Sequence, residues 1–553
     1  MKKYLLFLLL FSFSISSFGQ IKEGQAIDSL FTEWNKSDVP GAALGIIKDS
    51  KLIYSDGYGI ANLEHDIEIT PSSVFYIGSV SKQFVTFSIL LLEEQGKLDL
   101  DDKIQKHLPD FPEYDAPLTI RHFIHHTSGI RDFFTLMYLN GRNYLDISDV
   151  EEVYELIKRQ KELNFSPGEK YLYSNSCYFM LAMIVENVAG QSLKEFAQEN
   201  IFQPLGMKNT LFHDDNTDLI KNRASSYSKK TDEEGFNNLI MKFDLVGSGG
   251  IYSNIEDLYL WDQNFYNNKL GKGGQGIIDK MHEEGLLNNG ESSGYAFGLS
   301  NGTYKGLKTV SHAGAFAGYR SQLIRFPEEG FSVIVLANRG DANPTRKAFQ
   351  VADILLKDKF VEEPGNEESE TNNTIATEKF TLNQLTGSYE IQAGVVLEIT
   401  VKNDSLHVLQ DWNNSSYNIL NTFGNNYEIP NNSSIQFVFS ELKDGFTETL
   451  TLLQNGGETI FKRHEIIELP DLNLEEYTGE YYSEELGVSY LLLTEGDKLK
   501  VEVSNYDAQE LSLYDIDAFT SDIGLLRFNK SDGEIKGFEL DALGVTNLKF
   551  KKK

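Results

Sequence analysis

Between Glu362 and Lys379 the chain runs through Glu, Asn, Ser and Thr around Pro364-Gly365, with nothing apolar enough to seed a core. Such a stretch reads as a linker, here 361–379, and it divides the chain into two parts with different periodicities. A single compact core is therefore excluded, in line with a length of 553 residues, which suggests roughly three or four domains.

Downstream of the linker the pattern has period two. Val395, Leu397, Ile399 and Val401 alternate with Val396, Glu398, Thr400 and Lys402, as expected of half-buried strands. Leu382, Leu385, Thr386, Gly387 and Tyr389 recur as Leu474, Tyr477, Thr478, Gly479 and Tyr481, and Asp404, Leu406 and Val408 recur as Asp497, Leu499 and Val501. A repeat of about ninety residues implies two copies of one β-module, 380–466 and 467–553. Two copies are too few for a solenoid, and closing each into a small antiparallel barrel removes its exposed edges.

Upstream of the linker the elements are mixed. Ile27, Leu30, Phe31 and Trp34 mark an amphipathic helix ending before Pro40-Gly41. Ala42–Ile47 and Leu52–Tyr54 read as a hairpin, and Thr309–Ala313, Tyr319–Phe326 and Phe331–Ala337 as three later strands. Helical patterns at Val80–Gln95, Ile120–His126, Val150–Lys161, Ser176–Val188 and Ile255–Phe265 lie between the two groups. The expectation is an α+β domain over 20–360, with an antiparallel sheet made from both chain ends, helices packed on it and a helical insertion.

The first nineteen residues carry Lys2-Lys3, an apolar run from Tyr4 to Phe11 and small residues before Gly19, the pattern of a cleaved export signal. That run is too short to span a bilayer and no other approaches the required length, so a soluble periplasmic or secreted protein is expected. The formal net charge of −32 falls to −34 without Lys2 and Lys3. Such a surface repels phosphate backbones, which argues against nucleic acid as a partner. The one cysteine, Cys177, opens an apolar helical run and is expected to be a buried structural thiol.

Three short motifs carry chemistry. In Ser79-Val80-Ser81-Lys82 the serine sits in the first helical turn, and a three-residue step brings the lysine amine beside the hydroxyl. The helix dipole there favours negative charge at Ser79 and disfavours an ammonium at Lys82. Tyr173-Ser174-Asn175 follows a turn at Ser166-Pro167-Gly168 and precedes a helix, a position at which either motif residues or a helix cap would sit. A tyrosinate beside an ammonium can act as a base, and the Asn175 amide can hold a substrate carbonyl or the lysine. His312-Ala313-Gly314 closes a strand whose small residues would admit a substrate backbone, and the Ala315 N–H could pair with that of Ser79 as an oxyanion hole.

Taken with Gly57–Ala61, Thr119–Gly129, Gly247–Ser253 and Val335–Asn338, these motifs make residues 20 to about 360 resemble the serine β-lactamase and penicillin-binding-protein superfamily. The resemblance is to the branch holding class C β-lactamases, D-alanyl-D-alanine carboxypeptidases, D-aminopeptidases and related esterases. It implies the β-lactamase/transpeptidase-like fold and no metal or organic cofactor. It also implies Ser79 as nucleophile, Lys82 with Tyr173 as proton relay, and Asn175, His312 and Gly314 as substrate contacts. His312 stands where many β-lactamases have the lysine of Lys-Thr-Gly, and a histidine near its reference pKa is mostly neutral at pH 7. That turns the expected substrate from β-lactams towards a small D-amino-acid peptide or ester, peptidoglycan fragments included. The two repeats are similar to lipocalin-like barrels appended to some D-aminopeptidase-like members.

Several other readings remain open at this stage. One is a β-lactamase. Another is a penicillin or peptidoglycan-fragment sensor that is acylated without turnover. Gly290-Glu291-Ser292-Ser293-Gly294 matches a nucleophile elbow, but polar residues precede it where a buried strand is required, and Tyr295–Leu299 reads as a strand where a helix is required. His122, His125 and His126 lack a carboxylate or cysteine to complete a metal site, so packing and capping roles are expected of them. The oligomeric state has no readable signature.

Overall fold

Six consecutive buried residues, Ala42 to Ile47, demand a strand covered on both faces, and Ala42–Lys48 lies inside a six-stranded antiparallel sheet. The structure, a computed structural model, describes residues 22–360, 380–464 and 472–553 apart from Ile147, Asp232, Ala393, 411–414, Asn431 and 455–456. The expected export signal and linker lie outside the described residues. The strands run in the order Ser300–Tyr304, Leu307–Phe316, Tyr319–Phe326, Phe331–Ala337, Ala42–Lys48 and Lys51–Tyr58, so both ends of the domain build one sheet. Buried Asn338 ties them together: its Oδ1 accepts from Gly41 N–H at 2.9 Å and its Nδ2 donates to the Ile60 carbonyl at 3.1 Å.

Alternation along these strands sorts side chains to two cores. On one face Leu44, Val333 and Val335 meet Ile27 and Phe31 near the N-terminus and Phe349 of the helix Pro344–Leu355. On the other face Ala43, Ile334 and Leu336 meet the helices Lys82–Glu94, Asn175–Ala189 and Ile255–Tyr266. The expected strand at Tyr295–Leu299 is instead a tight turn closed by Ala296 N–H on the Leu299 carbonyl, and the strand begins at Ser300. The apolar run there packs on the start of the Lys82–Glu94 helix, where Thr86 Oγ1 donates to the Phe297 carbonyl at 2.8 Å. Burial, not sheet pairing, produced the pattern.

Each repeat closes as an eight-stranded antiparallel barrel, over Gly387–His464 and Gly479–Lys552. The repeated sequence builds the same local device twice. Tyr389 donates its hydroxyl to the Leu385 carbonyl and Tyr481 to the Tyr477 carbonyl, both at 2.8 Å, under a cation from Arg463 or Lys552. Tyr389→Phe and Tyr481→Phe should each lower stability by about 1 kcal/mol, read as a shift of the urea midpoint at unchanged slope.

The two barrels differ in how they attach. The first keeps its own core, whereas Tyr477, Tyr481, Tyr490 and Phe538 of the second belong to the same continuous apolar cluster as the helices of the domain upstream of the linker. At that junction Arg131 and Glu485 form a fully buried ion pair at 2.7 Å, and Arg131 also donates to Gln160 Oε1 and the Thr546 carbonyl.

Candidate active site

Ser79 lies in a 3-10 turn, Gly78–Ser81, that continues as the α-helix Lys82–Glu94. In a 3-10 turn residues i and i+3 eclipse, which sets the Lys82 amine against the Ser79 hydroxyl, Nζ to Oγ 3.1 Å. Lys82 is fully buried, and its Nζ also lies 3.0 Å from Asn175 Oδ1 and 2.6 Å from the Ser248 carbonyl. Burial pushes its pKa down to about 7, against a smaller upward pull from Asp132. Desolvation is therefore the largest reason this lysine can be neutral.

The neutral amine has two N–H bonds and one lone pair. Asn175 Oδ1 and the Ser248 carbonyl can only accept, so they take both N–H bonds and the lone pair is left facing Ser79. The serine hydroxyl then donates to Lys82, the direction a general base requires. The assignment of Oδ1 follows from Asn175 Nδ2 donating to Asp132 Oδ2 at 2.9 Å.

Tyr173 points its hydroxyl at the Ser79 side chain, and its ring lies 4.8 Å from Lys82 Nζ. Burial raises the phenol well above its ordinary pKa, so the group beside Ser79 is a neutral donor and not the tyrosinate considered from sequence. Asn175 is the first residue of its helix, but neither it nor Ser174 caps that helix with a side chain; Asp132 Oδ2 accepts the Asn175 N–H at 2.6 Å. His312 Nδ1 meets the Ala313 carbonyl at 2.6 Å, which makes Nδ1 the protonated nitrogen, and Nε2 accepts from the Tyr295 hydroxyl at 2.8 Å. Burial, with Lys82 adding to it, lowers the imidazole to about 3, so His312 carries no charge at neutral pH.

The strand Leu307–Phe316 extends past its neighbour Ser300–Tyr304, which pairs only as far as Ser311, and leaves 312–316 as a free edge beside Ser79. Gly78 lies so near that edge that a Cβ on it would stand 2.8 Å from Ala315 N, which places the Ala315 N–H next to the Ser79 turn. Gly314 is needed by the chain itself: a Cβ there would sit 2.0 Å from the Ile77 carbonyl. Ser79, Tyr173, Asn175, His312, Gly314 and Ala315 all line one cleft. Phe134, Tyr144 and Phe316 form an apolar wall of it, the Phe316 ring centroid lying 5.7 Å from that of Phe134 and 5.6 Å from that of Tyr144.

The remaining sequence candidates have other duties. His122 forms a capping box with Thr119, His125 Nδ1 bonds the Tyr295 carbonyl, and His126 Nδ1 accepts the Ser174 N–H. Ser292 is exposed and hydrogen-bonded to Glu284, with no strand-turn-helix around it. Cys177 is buried 3.1 Å from Ser128 Oγ, its thiol pushed up to about 12. Ser248, Tyr295 and Asp132 belong to the site and were not singled out from sequence. Asp132 had a legible signal as an N-cap before Phe133–Leu139, where its Oδ1 accepts from Phe134 N–H, but the use of its other oxygen had none. Among the described residues no helix is long and apolar enough to cross a membrane.

The sequence profile of the family described as Beta-lactamase matches residues 26–356. Penicillin-binding protein 4* of Bacillus subtilis (strain 168) is 30% identical over 378 residues, 65% of this chain and 81% of that protein. A D-aminopeptidase of Brucella anthropi is 30% identical over 319 residues, 57% of this chain and 59% of that enzyme, so the chain spans about three fifths of that relative. Among solved structures, the octameric penicillin-binding protein homologue from Pyrococcus abyssi superposes with a TM-score of 0.55 at 23% identity, over 88% of this chain and 99% of that one. The D-amino acid amidase from Ochrobactrum anthropi SV3 gives 0.52 at 21%, over 61% and 99%. At these identities the two structures speak to the fold.

Proposed function

We propose, since this chain belongs to the Beta-lactamase family of serine hydrolases, that it is an exported enzyme cleaving amides of D-amino acids through an acyl-enzyme on Ser79. The observation that carries the reading is the buried Lys82 amine, held by two pure acceptors so that its lone pair meets the Ser79 hydroxyl. Ser79 Oγ adds to the substrate carbonyl while its proton moves to Lys82 Nζ, and the N–H groups of Ser79 and Ala315 receive the oxyanion. The C–N bond breaks as the proton passes from Lys82 through the Tyr173 hydroxyl to the departing amine. Water then adds to the ester carbon, giving its proton back through Lys82 and releasing the carboxylic acid and free Ser79.

Two features support a D-amino-acid amide over a β-lactam. His312 is neutral in the place where a permanent cation would greet a β-lactam carboxylate. The apolar wall of Phe134, Tyr144 and Phe316 suits a substrate side chain. The names of the relatives, D-aminopeptidase and D-amino acid amidase, point the same way.

The test is a panel on the wild type and Ser79→Ala: a D-amino-acid anilide, a D-Ala-D-Ala peptide, a short-chain ester and a chromogenic cephalosporin. Turnover of the anilide or peptide, lost by about 10^4-fold or more in Ser79→Ala, is expected. Turnover that survives Ser79→Ala refutes the nucleophile, cephalosporin turnover alone refutes the substrate class, and a stoichiometric burst without turnover marks a sensor.

A further inference from the structure

The second barrel reaches the machinery through one turn. The hairpin that joins its last two strands, Glu534–Ala542 and Val545–Lys552, sets the Gly544 carbonyl against the hydrolase domain. That carbonyl accepts from Asp132 N–H at 3.0 Å and from Asn164 Nδ2 at 2.9 Å, while the neighbouring Leu543 carbonyl accepts from Thr135 Oγ1 at 2.6 Å. Gly544 has φ +76, and a Cβ on it would stand 3.0 Å from Asp132 Cβ. The fit is thus made to a residue without a side chain.

Asp132 is nearly buried, and both of its oxygens are committed. Oδ1 accepts from Phe134 N–H at 2.9 Å and Thr135 N–H at 3.4 Å, and Oδ2 accepts from the backbone N–H and the Nδ2 of Asn175. Four donors on two oxygens suit a carboxylate and leave no place for an amide NH2. Asn175 is thereby held with Nδ2 on Asp132 and Oδ1 on Lys82, the orientation that leaves the lysine lone pair to Ser79.

We propose that the second barrel is part of the catalytic apparatus: its Ala542–Val545 turn fixes Asp132, and Asp132 acts as a positioning residue that locks the Asn175 amide and so aims Lys82 at Ser79. The Arg131–Glu485 pair one residue away anchors the same stretch to the same barrel. The groups facing Lys82 are the carboxylate of Asp132, the thiol of Cys177, the neutral imidazoles of His126 and His312 and the phenols of Tyr173 and Tyr178, so its field is set by Asp132.

This rests on the reading of Ser79 and Lys82 given above, and the two fail separately. The experiment uses the full chain and the p-nitroanilide of D-alanine, or acylation by a fluorescent penicillin if that anilide is not turned over. Asp132→Asn keeps the volume but removes the charge, so the acid limb of kcat/KM should move to lower pH by about one unit, with the plateau down roughly 10- to 100-fold. Gly544→Val, which pushes on Asp132 from the barrel, should lower kcat about 10-fold with KM within about two-fold, and shift the limb in the same direction. Asn164→Ala replaces it if the valine variant does not fold. A wild-type acid limb in Asp132→Asn, or wild-type kcat in the barrel-side variant of a chain that needs Ser79, overturns the proposal. Turnover retained in Ser79→Ala overturns the reading beneath it instead.

Discussion

Lys82→Met should lower kcat/KM by about 10^3-fold while raising the melting temperature at neutral pH. The activity loss follows from removing the base whose lone pair meets the Ser79 hydroxyl. In the wild type kcat/KM should rise with pH through about 7 as Lys82 loses its proton, and His312, at about 3, should add no limb near neutrality. The stability gain has a definite sign. Between about 7 and the ordinary lysine value of 10.5 the unfolded chain binds a proton that the folded chain lacks, so wild-type stability rises with pH across that window. Below it the unfavourable burial of the ammonium is present in full. Methionine removes that cost, so the variant's advantage should be largest below pH 7 and vanish by about 10.5. A pH–rate profile and melts at three pH values check both halves; a variant that melts lower at pH 7 would contradict the charge assignment.

The second large effect concerns stability alone. Glu485→Ala should cost about 3–5 kcal/mol, because it strands the Arg131 guanidinium inside the junction with only neutral acceptors left. Because the second barrel shares its core with the hydrolase helices, the loss should appear in their common unfolding transition. The first barrel, with a core of its own, should keep its transition. Replacing both partners, Arg131→Met with Glu485→Met, should recover most of the loss, since neither charge of the pair is then left buried without its partner. Denaturant melts of the single and double variants measure this; equal losses in both would show that packing, not the unpaired charge, sets the cost.

Local pattern carried much of the fold. The strand Phe331–Ala337 is apolar at every position but the buried Ser332, legible because both faces of that strand are covered. The repeat at Leu382–Tyr389 and Leu474–Tyr481 was legible because each copy closes the same tyrosine-to-carbonyl bond four residues back. Tyr295–Leu299 misled for a reason of the same kind: periodicity reports burial, and a turn wedged against a helix is as buried as a strand.

Ser79, Lys82, Tyr173, Asn175 and His312 were nameable from motif spacing, because a three-residue step and a helix start are local geometry. The charges these groups carry were legible only in part: a mostly neutral His312 and a disfavoured ammonium at Lys82 were expected, but not the protonated Tyr173 nor the extent of either shift. The neutral amine of Lys82, the protonated phenol of Tyr173 and the uncharged imidazole of His312 follow from desolvation, and desolvation is set by what the rest of the chain packs around them. Asp132 lies still further from sequence reading, since its meaning depends on Asn175 43 residues ahead and on the Gly544 carbonyl contributed by the second barrel. By itself the sequence determined which residues could do acyl-transfer chemistry and that two β-modules follow them. Only the tertiary structure decided which proton sits where, and that the last barrel is built into the same core as the site, because both depend on contacts between segments hundreds of residues apart.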